Sequence, residues 1–277
     1  AEVLVITDLN NVRWLTGLSS SNAAAVLSHG DMTLLTDSRY SAQAAAAAAG
    51  SGAHVIVGRN VLSEAMSLAV EQGAPRVAIE ADALTVSEFS IVQEAASRAS
   101  IDVVETTGLI QSLRVAKDVS EVAALTTACE ISLGALAALV SELQPGMTEI
   151  EVARRLEQLI GVFGAEDRAF PSIVAAGPNS AVPHHEPTSR RIEIGDVLKI
   201  DFGARFDGYH ADCTRTFIVG ADPTERQLEV HAAVAAAADA ARSALRVGVE
   251  VAELYEVAWA VLDSAGLADR FTHGLGH

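Results

Sequence analysis

Residues 126–164 carry a pattern that returns in residues 228–266, a gapless offset of 102. "SELQPGMTEIEVARRLEQLIGVFGA" lies over "SALRVGVEVAELYEVAWAVLDSAGL", so that Gly146 meets Gly248, Leu143 meets Leu245, Val152 meets Leu254 and Gly164 meets Gly266. Each copy reads as a long helix, a glycine break, and a second amphipathic helix with its own glycine stop. Repetition of apolar and glycine positions at one spacing points to a duplicated half-domain. In the first copy, Thr148 stands three residues before Glu151, which predicts a capping box at the start of the second helix. After its glycine stop the first copy continues through residues 165–220, which supply several strands, whereas Gly266 is followed only by "LADRFTHGLGH". Equivalence of the two halves therefore predicts further strands, and the sequence reads as cut short. It also opens on Ala1 directly into the strand-like "EVLVIT", which suggests that the natural start lies upstream.

Residues 1–112 have another texture. "EVLVIT", "AAVLSH", "MTLLTD" and "RVAIEAD" predict strands. "SAQAAAAAAG", stopped by Gly50, "VLSEAMSLAVEQG" and "LTVSEFSIVQEAASRA" predict helices. Alternation of this kind with short connections implies an α/β domain. No GxGxxG opens a helix, so nothing indicates a dinucleotide site. A boundary falls near residues 112–117, which divides the chain into 1–112 and 113–277.

Composition narrows the function. The net charge of −17 is spread along the chain, which argues against nucleic acid or an anionic membrane as a partner, since both require basic surface. No apolar run approaches the roughly 20 residues of a membrane span, and no basic-then-apolar leader opens the chain. Two cysteines, Cys129 and Cys213, in no metal-binding spacing suit a reduced, cytoplasmic protein.

The segment "VLKIDFGARFDGYHADCTRTFIV", residues 197–219, holds the chemistry. Two strand-forming runs flank the turn-like Arg205-Phe206-Asp207-Gly208. A turn centred between Phe206 and Asp207 sets Asp201 directly opposite Asp212. A turn centred on Asp207-Gly208 sets Asp201 opposite Thr214, with Asp212 diagonal to it. Both registers leave the two carboxylates on one face, and directly opposed Cβ atoms lie about 4.5–5.5 Å apart. Like charges that close are unfavourable unless a shared proton, an arginine or a metal ion relieves them. "HGLGH" supplies His273 and His277 as metal-ligand candidates, and a carboxylate-rich, histidine-poor set suits ions of the Mn²⁺ kind.

"IDFGARFDGYHADCTRTF" with the later "THGLGH" resembles the pita-bread metallopeptidase family of prolidase, aminopeptidase P, methionine aminopeptidase and creatinase. "TDLNNVRWLTG" and "LLTDSRY" resemble the N-terminal domain of its proline-specific members, and "FPSIVAAGPNSAVPHHEPTSRRIEIGDVLKIDFGA" the entry to their catalytic core. The resemblance implies an α/β N-terminal domain of the creatinase/prolidase type that dimerises and restricts substrate. It also implies an α+β pita-bread catalytic domain with a pseudo-two-fold repeat, here lacking its last strands. The implied activity is metal-dependent removal of an N-terminal residue from proline, in Xaa-Pro dipeptides or peptides, by a homodimer holding two divalent ions, Mn²⁺ first and Co²⁺ or Zn²⁺ as alternatives. Carried over by position, Asp201 and Asp212 are metal ligands, with Asp212 bridging, and His277 is the histidine ligand. His184 hydrogen-bonds substrate and steadies the tetrahedral intermediate, and His273 lies near substrate. Arg215 and Thr216 are expected to orient the aspartates, while His185, which has no family match, is expected to be solvated. The family's metal site also uses two glutamates beyond the histidine ligand, which this sequence does not contain, so the chain as it stands is expected to bind metal weakly and be inactive.

Three other readings compete with this one. "DFG" also marks a kinase magnesium ligand, but neither an HRD-type loop nor a glycine-rich phosphate loop accompanies it. A creatinase-like amidinohydrolase works without metal and does not keep these aspartates. A non-catalytic binding protein on the same fold is opposed by the joint retention of His184, Asp201, Asp212 and His277.

Overall fold

The computed structural model describes residues 3–275, which form two compact units divided between Lys117 and Asp118. In the first unit the strands are β1 (Val3–Ile6), β2 (Ala23–Ser28), β3 (Asp31–Thr36), β4 (His54–Val57), β5 (Arg76–Glu80) and β6 (Asp102–Thr106). The helices are α1 (Leu9–Thr16), α2 (Ser41–Ser51), α3 (Val61–Glu71), α4 (Val86–Ala99) and α5 (Leu109–Arg114). The sheet runs β4-β3-β2-β1-β5-β6, and only β2 is antiparallel to its neighbours. Alternate residues serve opposite faces: Val3, Val5, Ala24 and Val26 pack with Met66 of α3 and Val92 of α4. Ile6, Ala23 and Ala25 pack with Val12, Ala44 and Ile110 of α1, α2 and α5. Helices on both faces explain why β2 is apolar along almost its whole length. The alanine-rich helix does not stop at Gly50; it runs to Ser51 and is closed by Gly52, whose φ of 73° supplies the left-handed cap. This unit also buries a carboxylate. Glu80 accepts from the Thr7 and Asp8 amides and from Asn11 Nδ2, and Asn11 Oδ1 accepts from Arg114. The network ties the ends of β1 and β5 to α1 and α5.

The second unit opens with α6 (Val119–Glu142) and α7 (Glu149–Val162) and closes with α8 (Glu225–Ala244) and α9 (Val251–Ser264). Between them lie β7 (Asp167–Arg168), β8 (Ile173–Ala176), β9 (Val197–Phe202), β10 (Ala204–Phe206), β11 (Tyr209–His210) and β12 (Cys213–Ile218). These form two antiparallel sheets, β12-β9-β8 and β11-β10-β7. The helices reproduce the repeat. α9 begins and ends 102 residues after α7, α8 ends 102 residues after α6, and both breaks turn on glycines of positive φ, Gly146 at 95° and Gly248 at 86°. The predicted Thr148–Glu151 capping box is present.

The copies differ in what covers them. The first packs Ile131, Leu136 and Leu139 of α6 and Leu156 and Ile160 of α7 against Val174, Leu198, Ile200 and Phe202 of the sheet. Burial of each large side chain there is worth about 1.5–3 kcal/mol. The second has a smaller core of Ala237, Ala241, Ala258, Leu262 and Leu267, and Val234, the counterpart of Ser132, is 54% exposed against 0%. Contrary to the expectation that no apolar run is long enough to span a membrane, α6 has the length and mean hydropathy (1.7) to do so. Its Ile131, Ala135, Leu136 and Leu139 pack into the core, whereas Val122, Leu133 and Val140 are exposed.

Candidate metal centre

Asp207 and Gly208 adopt φ values of 47° and 74°, the pair of left-handed residues that a two-residue type I′ hairpin turn requires. Phe206 therefore faces Tyr209, and further along Asp201 faces Thr214. Of the two registers the sequence allowed, this is the one centred on Asp207-Gly208, with Asp212 diagonal to Asp201. Gly203 makes the crossing possible. A Cβ there would stand 1.7 Å from the Ala211 carbonyl oxygen, so no side chain fits without moving the strands apart. Gly203→Ala is expected to cost at least about 1–3 kcal/mol and to lower the melting temperature by several degrees, roughly 2–4 °C per kcal/mol for a domain this size. An unchanged thermal melt contradicts that packing.

β9 alternates strictly: Leu198, Ile200 and Phe202 are buried in the core, while Val197, Lys199 and Asp201 share the other face. Asp201 is half-buried, and Thr214 Oγ1 donates to its Oδ1 at 2.8 Å. Burial pushes the Asp201 carboxyl above its usual range; the Thr214 hydroxyl opposes this, and the neighbouring Asp212, through its charge and a shared hydrogen bond, adds to it. The two carboxylates are thus coupled on one face, with Lys199 nearby as a weaker counter-charge. A hard divalent cation suits this donor set, since it replaces repulsion between two oxygen anions with attraction to each. Among the described residues, no group of three histidine, cysteine, aspartate or glutamate side chains could close round an ion.

The remaining candidates divide. His277 lies outside the described residues. His273 is exposed, donates from Nδ1 to the Gly274 carbonyl at 2.8 Å and stands edge-on to Phe271, so its contacts are with its own segment rather than the aspartates. His184 is exposed and makes no hydrogen bond to another described residue. The expected role of Arg215 needs correction. Arg215 stands opposite Ile200, on the other face from Asp201, and donates to the Thr214 carbonyl; Thr216 stands opposite Lys199. Thr214 is the residue that orients Asp201.

His185 is not solvated. Its side chain is 12% exposed, and Nε2 lies 2.8 Å from Glu149 Oε2. Glu149, at the first position of α7, is fully buried and accepts from five donors: the Ala176 amide, Asn179 Nδ2, His185 Nε2, the Thr188 amide and Thr188 Oγ1. Burial alone would raise its pKa, but these donors more than offset that and hold the carboxyl at about 2. Ionised, Glu149 can only accept, so His185 Nε2 carries the proton. Lys199 makes the matching contact from β9, with Nζ donating to the carbonyls of Val182 (2.6 Å) and Pro183 (3.1 Å). Desolvation pushes its ammonium pKa down. The loop bearing His184 is therefore pinned from two sides, one of them the strand that carries Asp201.

The family model described as Metallopeptidase family M24 matches residues 123–277, and that described as Creatinase/Prolidase N-terminal domain matches residues 1–116. An Xaa-Pro dipeptidase of Pyrococcus furiosus is 39% identical over 169 residues, which is 61% of this chain and 48% of that protein. An uncharacterized peptidase of Bacillus subtilis is 30% identical over 275 residues, 99% of this chain and 76% of that one. Among solved structures, an Xaa-Pro dipeptidase from Bacillus anthracis superposes with a TM-score of 0.93 at 29% identity, covering 100% of this chain and 76% of its own. The chain spans about half the length of the two Pyrococcus dipeptidases it matches.

Proposed function

The chain belongs to metallopeptidase family M24, with a creatinase/prolidase N-terminal domain ahead of a pita-bread domain, and on that premise we propose that it is part of a metal-dependent exopeptidase cleaving the bond between an N-terminal residue and proline. The observation that carries this reading is the coupled pair Asp201 and Asp212 on one face of the hairpin. The names borne by relatives supply the Xaa-Pro preference.

In this reading Asp201 and Asp212 would hold the metal, and His277 would add a nitrogen ligand. Two ions are proposed, with Mn²⁺ as the first choice because the donors are mainly oxygen. Bound there, such ions supply an acidified water and polarise a carbonyl. Thr214 fixes the direction of the Asp201 carboxylate on the face it shares with Asp212. His184, exposed beside that strand, donates a hydrogen bond to the substrate oxygen as charge develops on it, a contribution made only if the imidazole is already in place. The first unit is proposed to pair two copies and to limit substrate length, in a reducing compartment where Cys129 and Cys213 stay free.

Assay of the peptidase with and without Mn²⁺, against an Xaa-Pro dipeptide and a longer Xaa-Pro peptide, tests the reading and separates dipeptidase from aminopeptidase. Metal-stimulated cleavage of either is expected, and cleavage of neither overturns it. The 277-residue polypeptide itself is proposed to bind metal weakly and to be inactive, because Asp201, Asp212 and His277 offer fewer donors than two six-coordinate ions require. A Mn²⁺ titration that saturates tightly at two ions per chain contradicts this.

A further inference from the structure

Residues 182–188 contain no helix or strand, so their course depends on bonds from outside the loop. Those bonds come from two places. Glu149 receives His185 and Thr188, and Lys199 holds the carbonyls of Val182 and Pro183. Lys199 and Asp201 share a face of β9 two residues apart, which is about 7 Å. One anchor therefore ties the backbone just before His184 to the aspartate face, and the other ties the residue just after it to the buried start of α7. Of the two adjacent imidazoles, His185 is turned inward onto a carboxylate and His184 is left exposed.

We propose that His185 is a positioning residue: its hydrogen bond to Glu149 holds this loop in the one course that presents His184 to substrate on the Asp201 face. The proposal rests on the peptidase reading for its consequence and on the structure for its cause, and each can be tested separately. His185 touches neither substrate nor metal. Its contribution is to the order of the loop, and through it to the alignment of its neighbour. Loss of that alignment weakens an interaction made in the transition state more than in the ground state, so it lowers kcat and leaves KM nearly unchanged.

Two measurements decide it. On this chain, hydrogen exchange of the amides in residues 182–188 is compared between wild type and His185→Leu. On the active peptidase, kcat and KM are measured for the same variant and for His185→Gln, whose side-chain amide can still donate to Glu149. Leucine is expected to speed exchange in the loop at least about tenfold without affecting β9, and to lower kcat about 10- to 100-fold with KM within about threefold. Glutamine is expected to restore most of both. If the leucine variant fails to fold, His185→Asn, too short to reach Glu149, is compared with His185→Gln in its place. Unchanged exchange overturns the proposal, as does a rise in KM at constant kcat, or failure of glutamine to rescue. Should wild type cleave no Xaa-Pro substrate, the peptidase reading falls, and the exchange measurement alone decides whether His185 holds the loop.

Discussion

Asp201→Asn in the active peptidase is expected to lower kcat/KM for an Xaa-Pro substrate by about 10³-fold or more, while the metal-free protein becomes no less stable and, near neutral pH, slightly more so. Both parts follow from the environment of that side chain. Asparagine keeps an oxygen that can accept from Thr214 Oγ1, so the local geometry survives. What is lost is one of the two negative charges that hold the cation, and with it several kcal/mol of charge stabilisation, each 1.36 kcal/mol being tenfold in rate. The stability change has the opposite sign. Burial and Asp212 raise the carboxyl above its value of 3.8, so the folded protein holds that proton more tightly than the unfolded chain. The stability this confers is complete below the unfolded pKa and disappears as pH rises through the folded one. At neutral pH the metal-free protein thus carries a charged pair that it would gain by losing. Melting curves in chelator at pH 4 and pH 7, beside kinetics with saturating Mn²⁺, test both halves. Activity within tenfold of wild type removes Asp201 from the metal centre, and a large drop in chelator stability removes the repulsion.

The parts of the fold that were legible in the sequence are those set by the backbone. Gly146 and Gly248, at positive φ, mark the same break in both helical hairpins, so the repeat was visible although few letters agree. Thr148 and Glu151 announce the start of α7 because a capping box needs those types at that spacing. The hairpin was half legible: the parity of Asp201 and Asp212 followed from the strand period, but its register waited on whether Asp207 would accept a left-handed conformation. It does, and with that Thr214 rather than Arg215 or Thr216 meets Asp201. Gly50 misled, since glycine tolerates a helix interior and only the geometry at Gly52 identifies the cap. Least legible was Glu149. An acidic residue in the first turn of a helix has an ordinary purpose facing the solvent, where it complements the helix dipole. Nothing in its spacing says that it turns inward to meet a histidine 36 residues away. The same distance in sequence made His185 look like an isolated loop residue.

Glu149→Gln should be among the most destabilising isosteric changes in the second unit, at about 3 kcal/mol and, at roughly 2–4 °C per kcal/mol, of the order of 10 °C in melting temperature. The carboxylate presents two accepting oxygens to five donors, Oε1 to the Ala176 amide and Asn179, Oε2 to His185 and both donors of Thr188. An amide must turn its NH₂ toward one of these sets, which leaves two or three buried donors facing another donor, and a buried donor without its acceptor costs about 1–3 kcal/mol. The pH dependence is opposite to that of Asp201. Because the folded carboxyl is held at about 2 against an ordinary 4.5, its stabilising effect is full above the unfolded pKa and is lost as pH falls from about 4.5 toward 2. Wild type should therefore lose stability steeply over that interval, while Glu149→Gln, weaker throughout, should lose less. Acid titration of both proteins by circular dichroism tests this. If the two curves stay parallel from pH 5 to pH 2, Glu149 is not the ionised anchor of the histidine loop, and the case for His185 acting through it goes too.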